Sequence, residues 1–292
     1  MNSKKFISMA LSVALATAAF SSCGTGSAPA EQAEVKEVEI IAPAEVSTWV
    51  SLTVAEGKRL IAKGIMQSPE VAKAMENAAV LIARGSTNQY VLEEFMGQSI
   101  EDGSFMTGRI TPKGKAQPKV NDSKKEYLYK GGELSEVESF EEALQSLPKG
   151  SVVFKGGNIM NHNQNKAAVL IGHPTGGTIG AIDKVLSDDI KLIVPIGLEK
   201  NSSVDMDFMA VNFAEKQDKA PAIHILNGAI FTEIEAIKCV ADVEVYQYAS
   251  GGVNGAEGAV SLLIRGDAKQ VAIATEFIDS VYGEPALFSE AE

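Results

Sequence analysis

Ala79-Val80-Leu81-Ile82-Ala83-Arg84-Gly85-Ser86-Thr87-Asn88-Gln89-Tyr90 is the stretch on which the fold turns. Five apolar residues in a row read as a short strand buried on both faces. The chain then turns through Gly85-Ser86-Thr87, and a helix is predicted from Asn88 to Met96. A buried strand that feeds at once into a helix is half of a crossover unit, the building block of parallel sheets.

The same rhythm continues outward. Ser151–Phe154, Ala167–Ile171, Lys191–Ile196 and Ala222–Leu226 read as further strands, and Ile179–Leu186 and Thr232–Val240 as helices. Upstream, Thr53–Asn77 carries apolar residues at helical spacing, with Ser68-Pro69 opening a second helix at Glu70. The expected fold class is α/β, a mostly parallel sheet with helices on both faces. Thr107–Glu133 is rich in Lys and Gly and is expected to form a hairpin-like excursion. At the end, Val243–Tyr248 and Ala259–Ile264 flank the Gly-rich connection Ser250–Gly258, and a closing helix is expected over Asp267–Tyr282. The last two strands and this helix form a predicted C-terminal strand-strand-helix unit.

Four turns carry residue types suited to chemistry. In Arg84-Gly85-Ser86-Thr87, backbone N–H groups at a helix start and two hydroxyls suit an anion, and Arg84 could add a forked cationic contact. Alternatively, Ser86 or Thr87 only caps the helix. In Gly172–Gly180, Gly176, Gly177 and Thr178 form a second strand-to-helix turn, with Thr178 as the expected cap. Two such turns, each after a parallel strand, would meet at the carboxyl edge of the sheet, where open α/β folds bind ligands. Lys155 follows a third strand beside Gly156 and Gly157 and suits an anion contact or, if desolvated, a base. Glu199, in Pro195–Asn201, is the candidate carboxylate for proton transfer. Lys155 or Glu199 in a solvated loop is the alternative for each.

His162, His173 and His224 match no familiar zinc spacing, and neither a Gly-x-Ser-x-Gly elbow nor a Walker loop is present. No metal and no cofactor are expected. Cys239 falls in a predicted helix and reads as a buried, inert thiol.

The N-terminus has the layout of an export signal: Lys4 and Lys5, an apolar run from Phe6 to Phe20, then small residues and Cys23. Phe20-Ser21-Ser22-Cys23 resembles a bacterial lipobox, which implies lipidation of Cys23, residence in the cell envelope and attachment to a membrane through acyl chains alone. A secretory signal with an incidental cysteine is the alternative. The expected organisation is a signal peptide over 1–22, lipidated Cys23 and a flexible tether over 23–47, and one α/β domain over 48–285. Loss of residues 1–22 removes two lysines and moves the formal charge from −12 to −14. That charge disfavours nucleic acid, which is bound by neutralising phosphates.

The strand–Arg84-Gly85-Ser86-Thr87–helix unit, Lys155-Gly156-Gly157 at a later strand end and the α/β alternation resemble the ribose-5-phosphate isomerase, glucosamine-6-phosphate deaminase and CoA-transferase superfamily. Its isomerases open on a Gly-x-Gly-Ser-Thr phosphate turn before a helix that contains an aromatic, matched here by Ser86, Thr87 and Tyr90. Arg84 precedes Gly85, so the first glycine of that motif is absent. The isomerases' Asp-Gly-Ala-Asp segment has no counterpart, and Glu199 substitutes for its carboxylate only loosely. The resemblance implies an anion-binding site and isomerase- or transferase-like chemistry on a phosphorylated or carboxylated small molecule. The reading that joins it to the export signal is a membrane-tethered domain that binds a small anion at Gly-rich turns. A lipoprotein that works through protein–protein contact is the remaining alternative.

Overall fold

The computed structural model describes residues 41–107, 110–111, 113, 125–172, 176–215 and 217–288. The predicted signal, Cys23 and most of the predicted tether lie outside the described residues.

The chain enters through β1 (Val46–Leu52), a strand not foreseen, which begins in the last two residues assigned to the tether and runs into the start of the predicted domain. Thr53 then caps α1 (Val54–Met66). Its hydroxyl accepts the Glu56 N–H at 3.3 Å while the Glu56 carboxylate accepts the Thr53 N–H at 2.8 Å. This reciprocal pair satisfies two donors that a helix start otherwise leaves open. Pro69 opens α2 (Pro69–Asn77), where its missing N–H is no loss. β2 (Ala79–Ile82) is buried at every residue and leads through Ala83–Gly85 into α3 (Ser86–Met96).

A hairpin follows, β3 (Tyr127–Lys130) and β4 (Glu133–Glu136), turned by Gly131 and Gly132 at φ 63° and 87°. Two consecutive positive φ values match the twist of paired strands, and glycine adopts them without strain. Next come α4 (Phe140–Gln145), β5 (Ser151–Phe154), β6 (Ile159–Asn161) and β7 (Lys166–Ile171). The chain continues through α5 (Gly177–Ile182), β8 (Ile190–Pro195), α6 (Met206–Phe213), β9 (Ala222–Ile225) and β10 (Ala229–Phe231). It closes with α7 (Glu233–Lys238), β11 (Glu244–Ser250), β12 (Val260–Gly266) and α8 (Ala268–Asp279).

Among the described residues these strands form a six-stranded sheet and two three-stranded sheets. The large sheet has the order β10-β8-β5-β2-β3-β4. The four strands from β10 to β2 are parallel, and the β3–β4 hairpin is added antiparallel at one edge. The protein is therefore α/β with a mixed, mostly parallel sheet. The hairpin begins within the C-terminal end of the predicted excursion, and much of that excursion lies outside the described residues.

Two predicted parallel strands are placed differently. β7 pairs antiparallel with β9 on one side and with β6 on the other, in a separate three-stranded sheet. For β7 the reason is length. Only a short link separates Phe154 from Lys166, and β6 fills part of it, so no crossover helix fits. The chain reverses instead through a 3-10 turn at His162–Gln164 with Asn165 left-handed, at φ 50°. The predicted C-terminal unit is present as β11, β12 and α8, and β1 pairs antiparallel with β12 to complete its sheet. Asp267 caps α8 by accepting the N–H groups of Lys269 and Gln270.

The core is continuous from Leu60, Ile61 and Ile65 of α1, through Val80–Ile82 and Val152–Phe154, to Leu262 and Ile264 of β12. α1 lies so close to α7 that a Cβ on Gly64 would stand 2.4 Å from the Ala236 Cβ.

Candidate functional site

Three adjacent parallel strands, β8, β5 and β2, each lead from their carboxyl ends to a basic residue: Lys155 and Arg84 just past β5 and β2, and Lys200 past β8 at the end of a 3-10 turn over Leu198–Lys200. All three line one cleft of about 460 Å³, together with Gly85, Ser86 and Thr87. The carboxyl edge of a parallel sheet is where side chains on successive loops converge without disturbing the ladder.

The floor of the cleft is pinned by backbone and by one side chain. Ala83 N–H donates to Phe154 O at 3.0 Å and Lys155 N–H to Ile193 O at 3.2 Å, so the parallel pairing runs up to the residues that line the cleft. Asn88, fully buried, donates its Nδ2 to Ala83 O at 2.7 Å and to Phe154 O at 3.2 Å. That amide ties the end of β2 to the end of β5, and so ties the Arg84 turn to Lys155.

Gly85 is the cap of α3, and no side chain caps this helix. The alternative in which Ser86 or Thr87 serves as the cap is therefore set aside, and the first-turn N–H groups of α3 are not covered by a capping oxygen. Such a helix start carries partial positive charge. Gly85 itself is extended, at φ 176°, with its nearest neighbour 3.7 Å from a built Cβ, so the turn does not demand glycine.

Arg84 donates from Nε to Glu126 at 3.3 Å, which steadies the guanidinium at the rim. Lys155 is half-buried, and its Nζ donates to Gly156 O at 3.3 Å. Burial, then the neighbouring Lys200 ammonium, hold its pKa down at about 8, against a smaller opposing pull from Glu126. Lys200 donates to Gly157 O at 3.1 Å. Gly157 is required by space, since a Cβ there would meet Ile196 Cδ1 at 2.9 Å and Ala168 O at 3.2 Å.

The second predicted turn reaches the same cleft by another route. Gly176, Gly177 and Thr178 line it, although the strand before them, β7, belongs to the antiparallel sheet and not to the parallel one. The cap of α5 is Gly176, at φ 75°, and not Thr178. Val169, Ile171 and Ile179 give this wall an apolar character.

Glu199 is not among the residues that line the cleft. Its carboxylate folds back over Gly197, where a built Cβ would stand 1.9 Å from its Oε2. There it acts on Glu233 and Lys58. Glu233 is fully buried, accepts the Leu198 N–H at 2.9 Å, and has its pKa pushed up to about 8 by burial and then by Glu199. Lys58 is held down at about 8 by burial and by Lys200, against Glu199 and Glu233. The structure thus gathers Arg84, Ser86, Thr87, Lys155, Gly176, Gly177 and Thr178 in one cleft, and it places Glu199 in a neighbouring buried cluster.

Tyr90 faces away from the cleft. It lies under the Arg59 guanidinium, 4.7 Å from its ring centroid, and its hydroxyl donates to Pro285 O at 3.5 Å. Cys239 is half-buried at the end of α7, and burial pushes its thiol up. His224 stands 2.6 Å from the Asp183 carboxylate, beside the β7–β9 pairing. Among the described residues no group of three or more His, Cys, Asp or Glu side chains is arranged to hold a metal ion, and no helix is long and apolar enough to cross a membrane.

Lys200, Asn88, Glu126, Lys58 and Glu233 are functional or supporting residues not among those singled out in the sequence. For Lys200 a signal existed: a third basic residue just beyond a third predicted parallel strand. Comparison with protein-family models, curated proteins and solved structures gives no match to this chain.

Proposed function

We propose that this protein binds a small phosphate- or carboxylate-bearing molecule in the cleft at the carboxyl edge of its parallel sheet. The observation that carries the reading is the convergence of Arg84, Lys155 and Lys200 on the uncapped start of α3. Cations on a helix N-terminus favour an anion by charge and by hydrogen bonding, and a partly enclosed cleft screens the attraction less than open water does. The apolar wall from Val169 to Ile179 suits the carbon skeleton of such a molecule. In this reading the sheet has helices on both faces, as in the isomerase, deaminase and CoA-transferase superfamily that its turns resemble. The domain is exported, lipidated at Cys23 and tethered at the cell envelope.

Binding without turnover by a Lys155–Glu199 pair is favoured, because Glu199 is turned away from the cleft. The test is a thermal-shift screen of phosphate, sulfate and small carboxylates on the exported domain. A ligand that binds only the folded state at 100 times its Kd adds about 2.7 kcal/mol of stability. The expected result is a saturable rise in Tm with at least one anion that Arg84→Ala removes. Stabilisation that survives in Arg84→Ala and Lys155→Met would place the anion elsewhere and overturn the reading.

A further inference from the structure

We propose that Lys155 forms an imine with its ligand, and that the ligand is a small aldehyde or ketone carrying the anionic group held by Arg84 and the start of α3. The inference rests on the anion-binding reading and goes beyond it by naming a covalent activity and a substrate class.

Position comes first. Lys155 stands one residue past the end of β5, between β2 and β8, with its backbone tied to Ile193. Its amine is therefore presented to the cleft from the most constrained part of the sheet. Its immediate surroundings oppose a proton. Among the described residues Lys155 has no carboxylate in an ion pair, and Glu126, the carboxylate nearest in effect, is engaged by Arg84. The Nζ instead meets a backbone carbonyl, and a second ammonium, Lys200, lies close by.

A lysine that served only to hold an anion would gain from keeping its charge. In this one burial and a like charge weaken the hold on the proton without removing it, the arrangement that makes the neutral fraction of an amine available as a nucleophile. With a pKa of about 8, about a tenth of the amine is unprotonated at pH 7, against well under a thousandth for an ordinary lysine. Arg84 and the helix start can anchor the anionic end without Lys155, which leaves the amine for the carbon beside it.

The step balances without any oxidant or reductant. The lone pair of the neutral amine adds to the carbonyl carbon, and the carbonyl π pair moves to oxygen, which gains a proton as nitrogen loses one. The carbinolamine then expels water and the C=N bond forms. One amine and one carbonyl give one imine and one water.

The experiment treats the protein at neutral pH with pyruvate or glyceraldehyde 3-phosphate in the presence of cyanoborohydride, which reduces an imine to a stable secondary amine. Peptide mass mapping then locates the adduct, and Tm is followed with each probe alone. The expected result is labelling concentrated on Lys155, lost in Lys155→Arg, and not reproduced by the neutral ketone acetone. Lys58 is the internal control, because its pKa is also about 8 but it does not line the cleft. Labelling spread over lysines by exposure, or equal on Lys58, overturns the proposal. So does equal labelling of Lys155 by acetone, which removes the need for an anionic group. A rise in Tm with no adduct refutes the imine and leaves the anion site standing. No rise and no adduct with either probe refutes both.

Discussion

Replacing Asn88 by Asp tests how the cleft is held together. The Asn88 amide donates to Ala83 O at 2.7 Å and Phe154 O at 3.2 Å, and its Oδ1 is buried with no partner among the described residues. In Asn88→Asp the protonated acid can donate to only one of those carbonyls, and the ionised acid to neither. Losing one buried hydrogen bond costs about 1–3 kcal/mol, already present at acid pH. Ionisation then places a carboxylate, shielded from water, against two carbonyl oxygens, which raises its folded pKa above the unfolded value of about 3.9. The sign follows: the folded state holds a proton that the unfolded state has released, so stability relative to wild type falls as pH rises above about 4. For a rise of about 3 pKa units the further loss reaches about 4 kcal/mol at neutral pH. The assay is urea unfolding followed by circular dichroism from pH 4 to 8, because the one tryptophan, Trp49, is 63% exposed and a poor reporter of burial. A variant that tracks wild type within about 0.5 kcal/mol at every pH would refute the role given to Asn88, since substitutions without a structural role stay in that range.

Three other outcomes are expected. Glu233→Gln should flatten the pH dependence of stability: the folded Glu233 keeps its proton up to about pH 8, so wild type loses stability between about pH 4.5 and that point, with a slope approaching about 1.4 kcal/mol per pH unit. Parallel urea-midpoint profiles for the two proteins would contradict this. Gly157→Ala should lose about 1–3 kcal/mol, because Ile196 can yield to the new methyl but the Ala168 carbonyl cannot. In denaturation with and without phosphate it should also weaken the anion effect, since Gly157 O holds Lys200. Cys23→Ala should release the protein from the membrane fraction of its host while leaving its thermal unfolding unchanged; continued membrane association would remove the lipid anchor from the account.

The central strands were legible because burial on both faces leaves an uninterrupted apolar run, as in Ala79–Ile82 and Ser151–Phe154. β1 was not legible, because Val46–Leu52 alternates with serine and threonine and follows an acidic, proline-bearing stretch. β7 and β9 were recognised as strands but given the wrong partners. Apolar content sets burial, whereas pairing depends on the reversal at His162–Asn165, which the sequence marks only by a run of amides. Within the cleft, the Arg84 turn and the glycines at 176 and 177 could be read from strand-to-helix punctuation. Glu199 was misplaced because a carboxylate just past a strand can turn either way, and here it folds over Gly197 toward Lys58 and Glu233. Asn88 carried no signal, because an asparagine in the first turn of a helix is ordinary and its two acceptors lie on different strands.

The most direct measurement is anomalous diffraction from crystals grown in selenate, a heavier analogue of sulfate. A selenium peak is expected in the cleft, within hydrogen-bond reach of the Ser86 or Thr87 N–H and beside Arg84 and Lys155. Well-ordered crystals with selenate bound only outside this cleft would contradict that expectation.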